Sequence, residues 1–261
     1  GNNNLLEYNE VFDIARLTGD VGAFYARWDW TSRGNVLRHN FVHHISRANA
    51  FYGDDGHAGD SIYRNVVYRA LIGTLIGGGH ANYIHNNLYV ECLAAAIHLD
   101  SRGIQRNYNA SNPDFRDLFY AFKITDGAWD HRYPGISTFI FRDSLDYPQD
   151  NDIADNIFIN CPVGIRKEGK EGDFRYSFFG KNDDRKLQDL DMMPIIRDKD
   201  ISGIPVIADP AFFGLQTSGL YVDKYRMVLP DRTELLKTIP SVQQQGFDSV
   251  QDQQATNDAN R

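Results

Sequence analysis

The stretch Asn82-Tyr83-Ile84-His85-Asn86-Asn87 carries the pattern that decides the fold. It consists of a polar residue, an aliphatic residue two positions later and an asparagine three positions after that. Four further copies occur along the chain, at Asn4–Asn9, Asn35–Asn40, Asp60–Asn65 and Asn151–Asn156. The closing asparagines of successive copies lie 31, 25, 22 and 69 residues apart. Roughly 22 residues is one turn of a three-sided coil with short strands, so the longer spacings predict loops and one large insertion.

A parallel stack of such coils explains why the same residue types recur. Each strand pairs with its equivalents above and below at about 4.8 Å, so like residues align in columns. Asparagine suits a tight bend because it tolerates the left-handed conformation and its amide can bond to the next rung. Five residues after each asparagine comes a small or apolar side chain, which predicts an interior column: Ile14, Ile45, Ala70, Cys92 and Cys161. We therefore predict an all-β protein, a right-handed parallel β-helix, whose two cysteines are stacked buried thiols rather than a disulfide.

The longest spacing predicts a small helical insertion between coils. Asn112-Pro113 is typical of a helix start, and an apolar stripe at helical spacing follows it: Phe115, Leu118, Phe119 and Phe122. We expect this stripe to pack against the coils. The predicted organisation is β-helix coils over 1–106, the insertion over 107–150, a last coil over 151–172, an irregular cap over 173–240 and a flexible tail over 241–261.

Composition and charge narrow the classes of partner. The chain has 261 residues, a net charge of −8 and no basic run, which argues against nucleic acid or an anionic membrane surface. The sequence has no run of about 18 apolar residues, so we expect no membrane span. An aromatic fraction of 13% in an acidic chain is compatible with a hydroxyl-rich glycan as ligand.

The second half of each coil supplies a candidate binding surface. Five segments align there: Ala23–Tyr25, Ala50–Tyr52, Thr74–Ile76, Ala96–His98 and Gly164–Arg166. Strand alternation predicts that their middle residues point inward: Phe24, Phe51, Leu75, Ile97 and Ile165. The next residues would then point outward: Tyr25, Tyr52, Ile76, His98 and Arg166. Such an outward face of aromatic, imidazole and guanidinium groups predicts a groove in which sugar rings stack.

Carboxylates follow two of these strands on either side of a glycine-rich coil. Asp54 and Asp55 end one strand and Asp100 ends another, while Gly77-Gly78-Gly79 leaves the coil between them without side chains. We expect the glycines to let substrate approach the backbone. Two rungs would separate the acids by roughly 9–10 Å at Cα, near the separation used by a general acid and a water-activating base.

Neighbouring acids leave alternatives open. Asp20 and Asp29 flank the adjacent strand, and either could partner Asp54 or Asp55 at the closer distance of a nucleophile, so both stereochemical outcomes are possible. A calcium site built from Asp54, Asp55 and Asp60 is another possibility. The spacing of a known calcium loop is absent from the sequence, so we expect neither a metal nor another cofactor.

Six short segments occur in a specific combination. They are Tyr25–Trp30, Tyr52–Gly56, Ile76–Gly79, Ala96–Gly103, Arg132–Pro134 and Gly219–Arg226. Together they resemble glycoside hydrolase family 141, over most of the chain. The resemblance implies a secreted or periplasmic bacterial β-helical enzyme with fucosidase or xylanase activity toward plant cell-wall glycans. It also implies hydrolysis by paired aspartates, with Asp20, Asp55 and Asp100 at matching motif positions.

Members of that family carry further coils before the ones in this sequence. An uncovered first coil would present unpaired strand edges. We therefore expect a missing N-terminal segment or another polypeptide to cover it.

The leading hypothesis is a glycoside hydrolase acting on a plant- or algal-type polysaccharide or oligosaccharide. Asp55 would be one catalytic carboxyl and Asp100 or Asp20 the other, with Asp54 beside them. The sugar would be held by Tyr25, Trp28, Asp29, Tyr52, Gly78, His80, His98 and Arg102.

Two other functions suit the same scaffold. A polysaccharide lyase would need a cation on a uronate and a base, for which Arg102, Arg166 or Lys167 could serve. A glycan-binding β-helix, as in tailspikes and adhesins, would bind without turnover.

Overall fold

The computed structural model describes residues 1–185, and this part of the chain is rich in parallel β-structure. Its strands are β1 (Leu5–Glu7), β2 (Glu10–Phe12), β3 (Gly22–Arg27), β4 (Asn35–Arg38), β5 (Phe41–Asp54), β6 (Asp60–Tyr63), β7 (Val66–Gly77), β8 (Tyr83–His85), β9 (Leu88–Val90), β10 (Ala95–Asp100), β11 (Asp152–Ala154), β12 (Ile157–Ile159), β13 (Ile165–Glu168), β14 (Phe178–Phe179) and β15 (Asp183–Arg185). They form two parallel sheets.

The first sheet has the spatial order β1-β4-β6-β8-β11-β14. The second has nine strands and consists of two halves. β5 and β7 are long enough to take part in both halves. The first parts of β5 and β7 pair with β2 and β9, and their later parts pair with β3 and β10. A register shift in β5 between Ile45 and Asn49 separates the two parts. The chain therefore crosses the first sheet and then both halves of the second, and repeats this pass.

Three columns of inward side chains build the core: one on the first sheet and one on each half of the second sheet. The first column is Leu6, Leu37, Ile62, Ile84, Ile153 and Phe179. The second is Val11, Val42, Val67, Tyr89 and Phe158. The third is Phe24, Phe51, Thr74, Ile97 and Ile165. Burial of these stacked apolar groups is the main force that holds successive passes together.

Asparagine ladders join each pass to the next at the bends that flank the first sheet. The amide Nδ2 of Asn9 donates to Oδ1 of Asn40 at 2.9 Å. The same bond recurs at 3.0 Å through Asn65, Asn87, Asn156 and Asn182. In each case the backbone N–H donates to the same oxygen, at 2.9–3.1 Å. A second ladder contains Asn4, Asn35, Asp60, Asn82 and Asn151. The predicted asparagine columns are thus present as hydrogen-bonded ladders.

One strand has a register that differs from the prediction by a single residue. Phe51 and Ile97 both pair with Thr74, so Thr74 takes the inward position and Leu75 the outward one. The expectation that Leu75 points inward and Ile76 outward is therefore wrong. Thr74 can occupy the core because its hydroxyl shares a 2.7 Å hydrogen bond with the buried hydroxyl of Tyr89.

Residues 102–150, named the helical segment from here on, interrupt the strands. It contains α1 (Arg102–Arg106), α2 (Pro113–Ala121), short 3-10 turns at Ile124–Asp126 and Ala128–His131, and α3 (Ile136–Phe139). The Asn112 side chain caps α2 by accepting from the backbone N–H of Asp114 at 3.0 Å. The helical structure begins at residue 102, earlier than the predicted boundary at residue 107, and the stripe is shorter than predicted. Phe115 and Phe119 are buried, whereas Phe122 lies beyond the last helical residue and is half exposed.

Residues 1–101 and 151–185 contain all the described strands and are named the stacked body from here on. Beyond residue 172, the predicted end of the last coil, β14 and β15 continue both sheets and Asn182 continues a ladder. The other parts of the predicted cap and the tail, from residue 186, lie outside the described residues, as does Gly219–Arg226. Cys92 and Cys161 are free and pack in the same core. Among residues 1–185, no helix is long and apolar enough to cross a membrane.

Candidate functional site

Charged side chains share one outward column of the second sheet. Pairing across β3, β5, β7, β10 and β13 aligns Arg27 with Asp54, and Asp100 with Gly77 and Glu168. On the other side of β7, Gly53 pairs with Ile76, so the next residue along, Asp54, lies beside Gly77. Asp54 and Asp100 therefore lie two rungs apart in one column with a glycine between them, the arrangement that was predicted, with Asp54 rather than Asp55 in register.

The space above the glycine is filled by Arg102, the first residue of α1. Its Nη1 donates to Asp54 Oδ1 at 2.6 Å, and its Nε and Nη2 contact both oxygens of Asp100 at 2.6–2.9 Å. A Cβ on Gly77 would lie only 2.8 Å from the guanidinium carbon. The expected open floor is therefore covered by a guanidinium that joins the two carboxylates.

The electrostatics of Arg102 follow from this position. Burial on its own would lower the pKa of the guanidinium, but the hydrogen bonds and charge of Asp100 raise it above its ordinary value. Arg102 is consequently a permanent cation, with its donors directed at carboxylates. The geometry is that of a forked, charge-assisted pair.

Asp55 belongs to the same cluster, although it lies past the end of β5. It adopts a left-handed backbone conformation, with φ 41°, at the turn into Gly56. Its Oδ1 accepts from Tyr108 Oη at 2.8 Å and from Nη1 of Arg106, and it lies 3.4 Å from Arg102 Nη1. Burial would raise the pKa of Asp55, but hydrogen bonding from Trp28, Tyr108 and Arg102 and the charge of Arg106 outweigh it and leave the pKa below its usual value.

Two tyrosines form the edge of the cluster nearest the first pass. The rings of Tyr25 and Tyr52 meet edge to face with centroids 5.1 Å apart. Tyr25 donates its hydroxyl to Asp54 Oδ2 at 2.8 Å, and Tyr52 donates to Asp20 Oδ1 at 3.2 Å. Burial raises the pKa of both phenols, so both remain donors at neutral pH. Tyr25 is 45% exposed, so its ring is accessible to a ligand.

The separation of the carboxylates is limited by their shared partner. Asp54 Oδ1 and Asp100 Oδ2 each lie 2.6 Å from a nitrogen of Arg102. The two oxygens are thus at most roughly 8 Å apart, two hydrogen bonds plus the width of a guanidinium. That range includes the separations used for both inversion and retention of a glycosidic centre.

Several residues expected to hold the sugar are engaged elsewhere. His80 is fully buried between Trp30 and Phe139, so it is not available to a ligand in this structure. Asp29 accepts from the backbone and hydroxyl of Thr31 and fixes a turn. Gly78 lies beneath the first turn of α1, because a Cβ there would be 3.0 Å from the Gly103 nitrogen.

Two other expected residues lie at the margins of the cluster. His98 is outward but nearly buried, and its Nε2 is 3.1 Å from Glu168 Oε2. Burial lowers the pKa of His98. Trp28 is partly buried, with its ring near Phe115 and the Arg27 guanidinium over it.

The three acids considered for calcium are divided between different partners. Asp54 and Asp55 face arginines, whereas Asp60 Oδ2 lies 2.9 Å from Nε2 of His57. Within residues 1–185, no group of three or more histidine, cysteine or acidic side chains could hold a metal ion.

Sequence reasoning missed four members of the site. Arg27 and Glu168 extend the charged column at its two ends, and Arg106 and Tyr108 contact Asp55 from the helical segment. Strand register could have indicated the first two, since each follows an aligned outward residue by two positions. The other two depend on how the helical segment folds back onto the sheet.

A cavity of about 720 Å³ lies at the first passes, and its lining includes Asp29 and Asp60 but not Asp54, Asp55 or Asp100. It is lined by core residues such as Leu6, Phe24 and Phe51, and by Tyr25 and Tyr52. At this end of the stack, Leu5 and Phe12 are half exposed. Coverage of this end by a further segment or chain stays a prediction.

Comparisons were made of the whole chain with protein-family models, with curated proteins and with solved structures. None of the three returned a match.

Proposed function

We propose that the chain is a right-handed parallel β-helix and a glycoside hydrolase of the family 141 type. The observation that carries the proposal is the convergence of Asp54, Asp55 and Asp100 on one outward face, two rungs wide, beside exposed Tyr25. Stacked parallel strands in three runs, joined by asparagine ladders, support the β-helix. Paired carboxylates next to an aromatic surface are what glycoside hydrolysis requires.

The electrostatics suggest a role for Asp55. Its pKa is below the usual range, so it is ionised at neutral pH and suits a nucleophile or a base. The partner acid would be Asp100, held by Arg102, or Asp20, which is exposed and hydrogen-bonded to Tyr52. Tyr25, whose ring is exposed, would stack against the sugar, whereas Tyr52 is buried and would support the Tyr25 ring from beneath. The substrate class is a plant- or algal-type glycan, and the enzyme would act outside the cytoplasm.

Single substitutions test the assignment. The wild type, Asp55→Asn, Asp100→Asn and Asp20→Asn would be assayed for release of reducing sugar from xylans, xylo-oligosaccharides and fucosylated glycans. Loss of a catalytic carboxyl should reduce kcat/KM at least roughly hundredfold. Asp117→Asn is the matched control, because Asp117 is an exposed acid on α2 that pairs only locally with Arg116. An Asp55→Asn protein that hydrolyses its glycan at the full rate would refute the assignment.

A second candidate function is glycan binding without turnover. It is favoured by one observation, that Arg102 and Arg106 between them form ion pairs with all three acids. Saturable binding of the same glycans with no product over long incubation would support it. A lyase receives less support, because Arg102 and Arg166 are engaged as donors and Lys167 lies over the Phe179 ring. Unsaturated, ultraviolet-absorbing products would identify that reaction.

A further inference from the structure

Arg102 and Gly77 come from different parts of the chain and fit together closely. Arg102 begins α1, and Gly77 ends β7. A Cβ on Gly77 would lie 2.8 Å from Cζ of Arg102 and 3.0 Å from both Nε and Nη1. The backbone at Gly77 is not left-handed, so conformational freedom does not explain the glycine. The glycine is needed for space, because any side chain at position 77 would overlap with the Arg102 guanidinium. The space above Gly77 that the guanidinium fills is named the seat from here on.

The contacts of the seated guanidinium are divided between the two acids. Nη1 reaches Asp54 at 2.6 Å, whereas Nε and Nη2 form a fork with Asp100 at 2.6–2.9 Å. The backbone N–H of Arg102 also donates to Asp100 Oδ1 at 3.1 Å. A lysine ammonium is a compact point charge and could not present this fork to one carboxylate while bonding to the other. The position is therefore specific for a planar, multidentate cation.

Charged groups and one tyrosine hydroxyl face the Arg102 guanidinium from the elements packed around it. β5 contributes Asp54 and Tyr52, the turn after it contributes Asp55, β10 contributes Asp100, and α1 contributes Arg106. Three acids facing one another without the central cation would repel. Their side chains would then turn away from the common point to which Arg102 now directs them.

We propose that Arg102 is the positioning residue of the site and that Gly77 is its cradle, so that the two form a guanidinium-sized seat which aligns Asp54 and Asp100. The proposal rests on the proposed function for its effect on catalysis. The seat itself is a property of the structure that can be measured without turnover.

The first test measures the seat directly. Arg102→Ala empties it while leaving the three acids, so guanidinium should bind there. Thermal unfolding of Arg102→Ala would be followed with increasing millimolar guanidinium chloride against sodium chloride at equal ionic strength. We expect a rise in Tm with guanidinium, as for any ligand that binds only the native state. No rise is expected in wild type or in Arg102→Ala/Gly77→Ala, in which the seat is filled or blocked.

The second test measures positioning through turnover. Displacing the guanidinium by Gly77→Ala should lower kcat roughly hundredfold with little change in KM, the scale expected for carboxylates moved by about an ångström. Arg102→Ala should behave alike and regain activity with guanidinium, whereas Arg102→Lys should not regain it. Gly172→Ala is the matched control, because the nearest heavy atom to its added Cβ is 3.9 Å away.

The outcomes separate the two proposals. Absence of hydrolysis in wild type contradicts the proposed function, while the Tm experiment still decides whether the seat exists. Gly77→Ala at the wild-type rate, Arg102→Lys at the wild-type rate, or a guanidinium effect that persists in the double variant overturns the seat. If Arg102→Ala does not fold, Gly77→Ala and Arg102→Lys, which keep the charge, decide whether the seat positions the acids.

Discussion

The stacked body and the helical segment are built on opposite principles. In the body, the same residue recurs on each pass and is bonded to its own copies, as in the ladder through Asn65 and Asn87. In the helical segment, each polar contact is made once, as when Asn112 caps α2. The site lies where the two meet, with its acids supplied by the body and its central cations, Arg102 and Arg106, by α1. The repeated strands of the stacked body thus hold the acids in place, and the non-repeating helical segment supplies the arginines that pair with them.

Removing a ladder asparagine from the body is the most severe test of this contrast. Asn87 is fully buried, donates to Ile62 O and Asn156 Oδ1, and accepts twice from Asn65. Asn87→Ala should lower the free energy of unfolding by about 3–5 kcal/mol, because several buried groups lose partners. Urea unfolding followed by circular dichroism measures this. Asn9→Ala, at the exposed end of the same ladder, should cost less than half as much, and equal losses would contradict the cooperative ladder.

The contact between body and segment predicts a pH dependence. His80 from the body is packed between Trp30 and Phe139, and burial lowers its pKa from the ordinary 6.5 to about 3. Between these values the unfolded chain binds a proton that the native state does not, so stability falls as the pH falls. From pH 6.5 to about 4.5 this amounts to roughly 2–3 kcal/mol. His80→Phe, which keeps a ring, should flatten the dependence, and an unchanged slope would contradict this origin.

The interior of the body contains one departure from repetition. Thr74 stands in a column of large apolar residues, and its hydroxyl pairs with Tyr89. Thr74→Val should cost about 1–3 kcal/mol, since the buried Tyr89 hydroxyl loses its partner. Adding Tyr89→Phe should recover part of this loss. The four unfolding free energies form a double-mutant cycle, and strict additivity would show that the hydrogen bond contributes nothing.

The smallest effect is expected in the helical segment. Asn112→Ala removes a single exposed cap from α2 and should cost about 1 kcal/mol. Asn112→Ser, which keeps an acceptor, should restore most of that loss. A loss of unfolding free energy as large as that of Asn87→Ala would mean that one exposed cap stabilises the fold as much as a buried ladder asparagine does. That result would contradict the contrast between the two parts.

The repeated features were predictable from sequence. Identical residues at fixed spacing identify the ladder columns, and the spacing of Asp54 and Asp100 around Gly77 placed both on one face. Thr74 could not be placed, because apolarity favours Leu75 in the core and only the distant Tyr89 makes a hydroxyl acceptable there. A slip of one residue along a strand reverses its faces, so this error exchanged the faces assigned to Leu75 and Ile76 on β7.

The cations at the site were less predictable. Arg102 was expected to contact sugar, yet it lies among carboxylates because α1 turns back over Gly77 immediately after β10. No periodicity encodes that turn. His80 was misplaced for a related reason, since its surroundings include Phe139, which lies 59 positions later and reaches it only through the fold of the helical segment.

The ladders also bear on how such a chain could change its length. In the ladder from Asn9 to Asn182, each side-chain amide donates to the oxygen of the next asparagine along the chain, so each pass offers the following one the same kind of joint. Asn87 and Asn156 are 69 residues apart, yet the hydrogen bond between their side chains is 3.0 Å long, the same as between Asn65 and Asn87. A pass can thus be extended by a large loop while the hydrogen bond at its bend is kept. Evolution of this chain could therefore proceed by editing its loops while the joints stay constant.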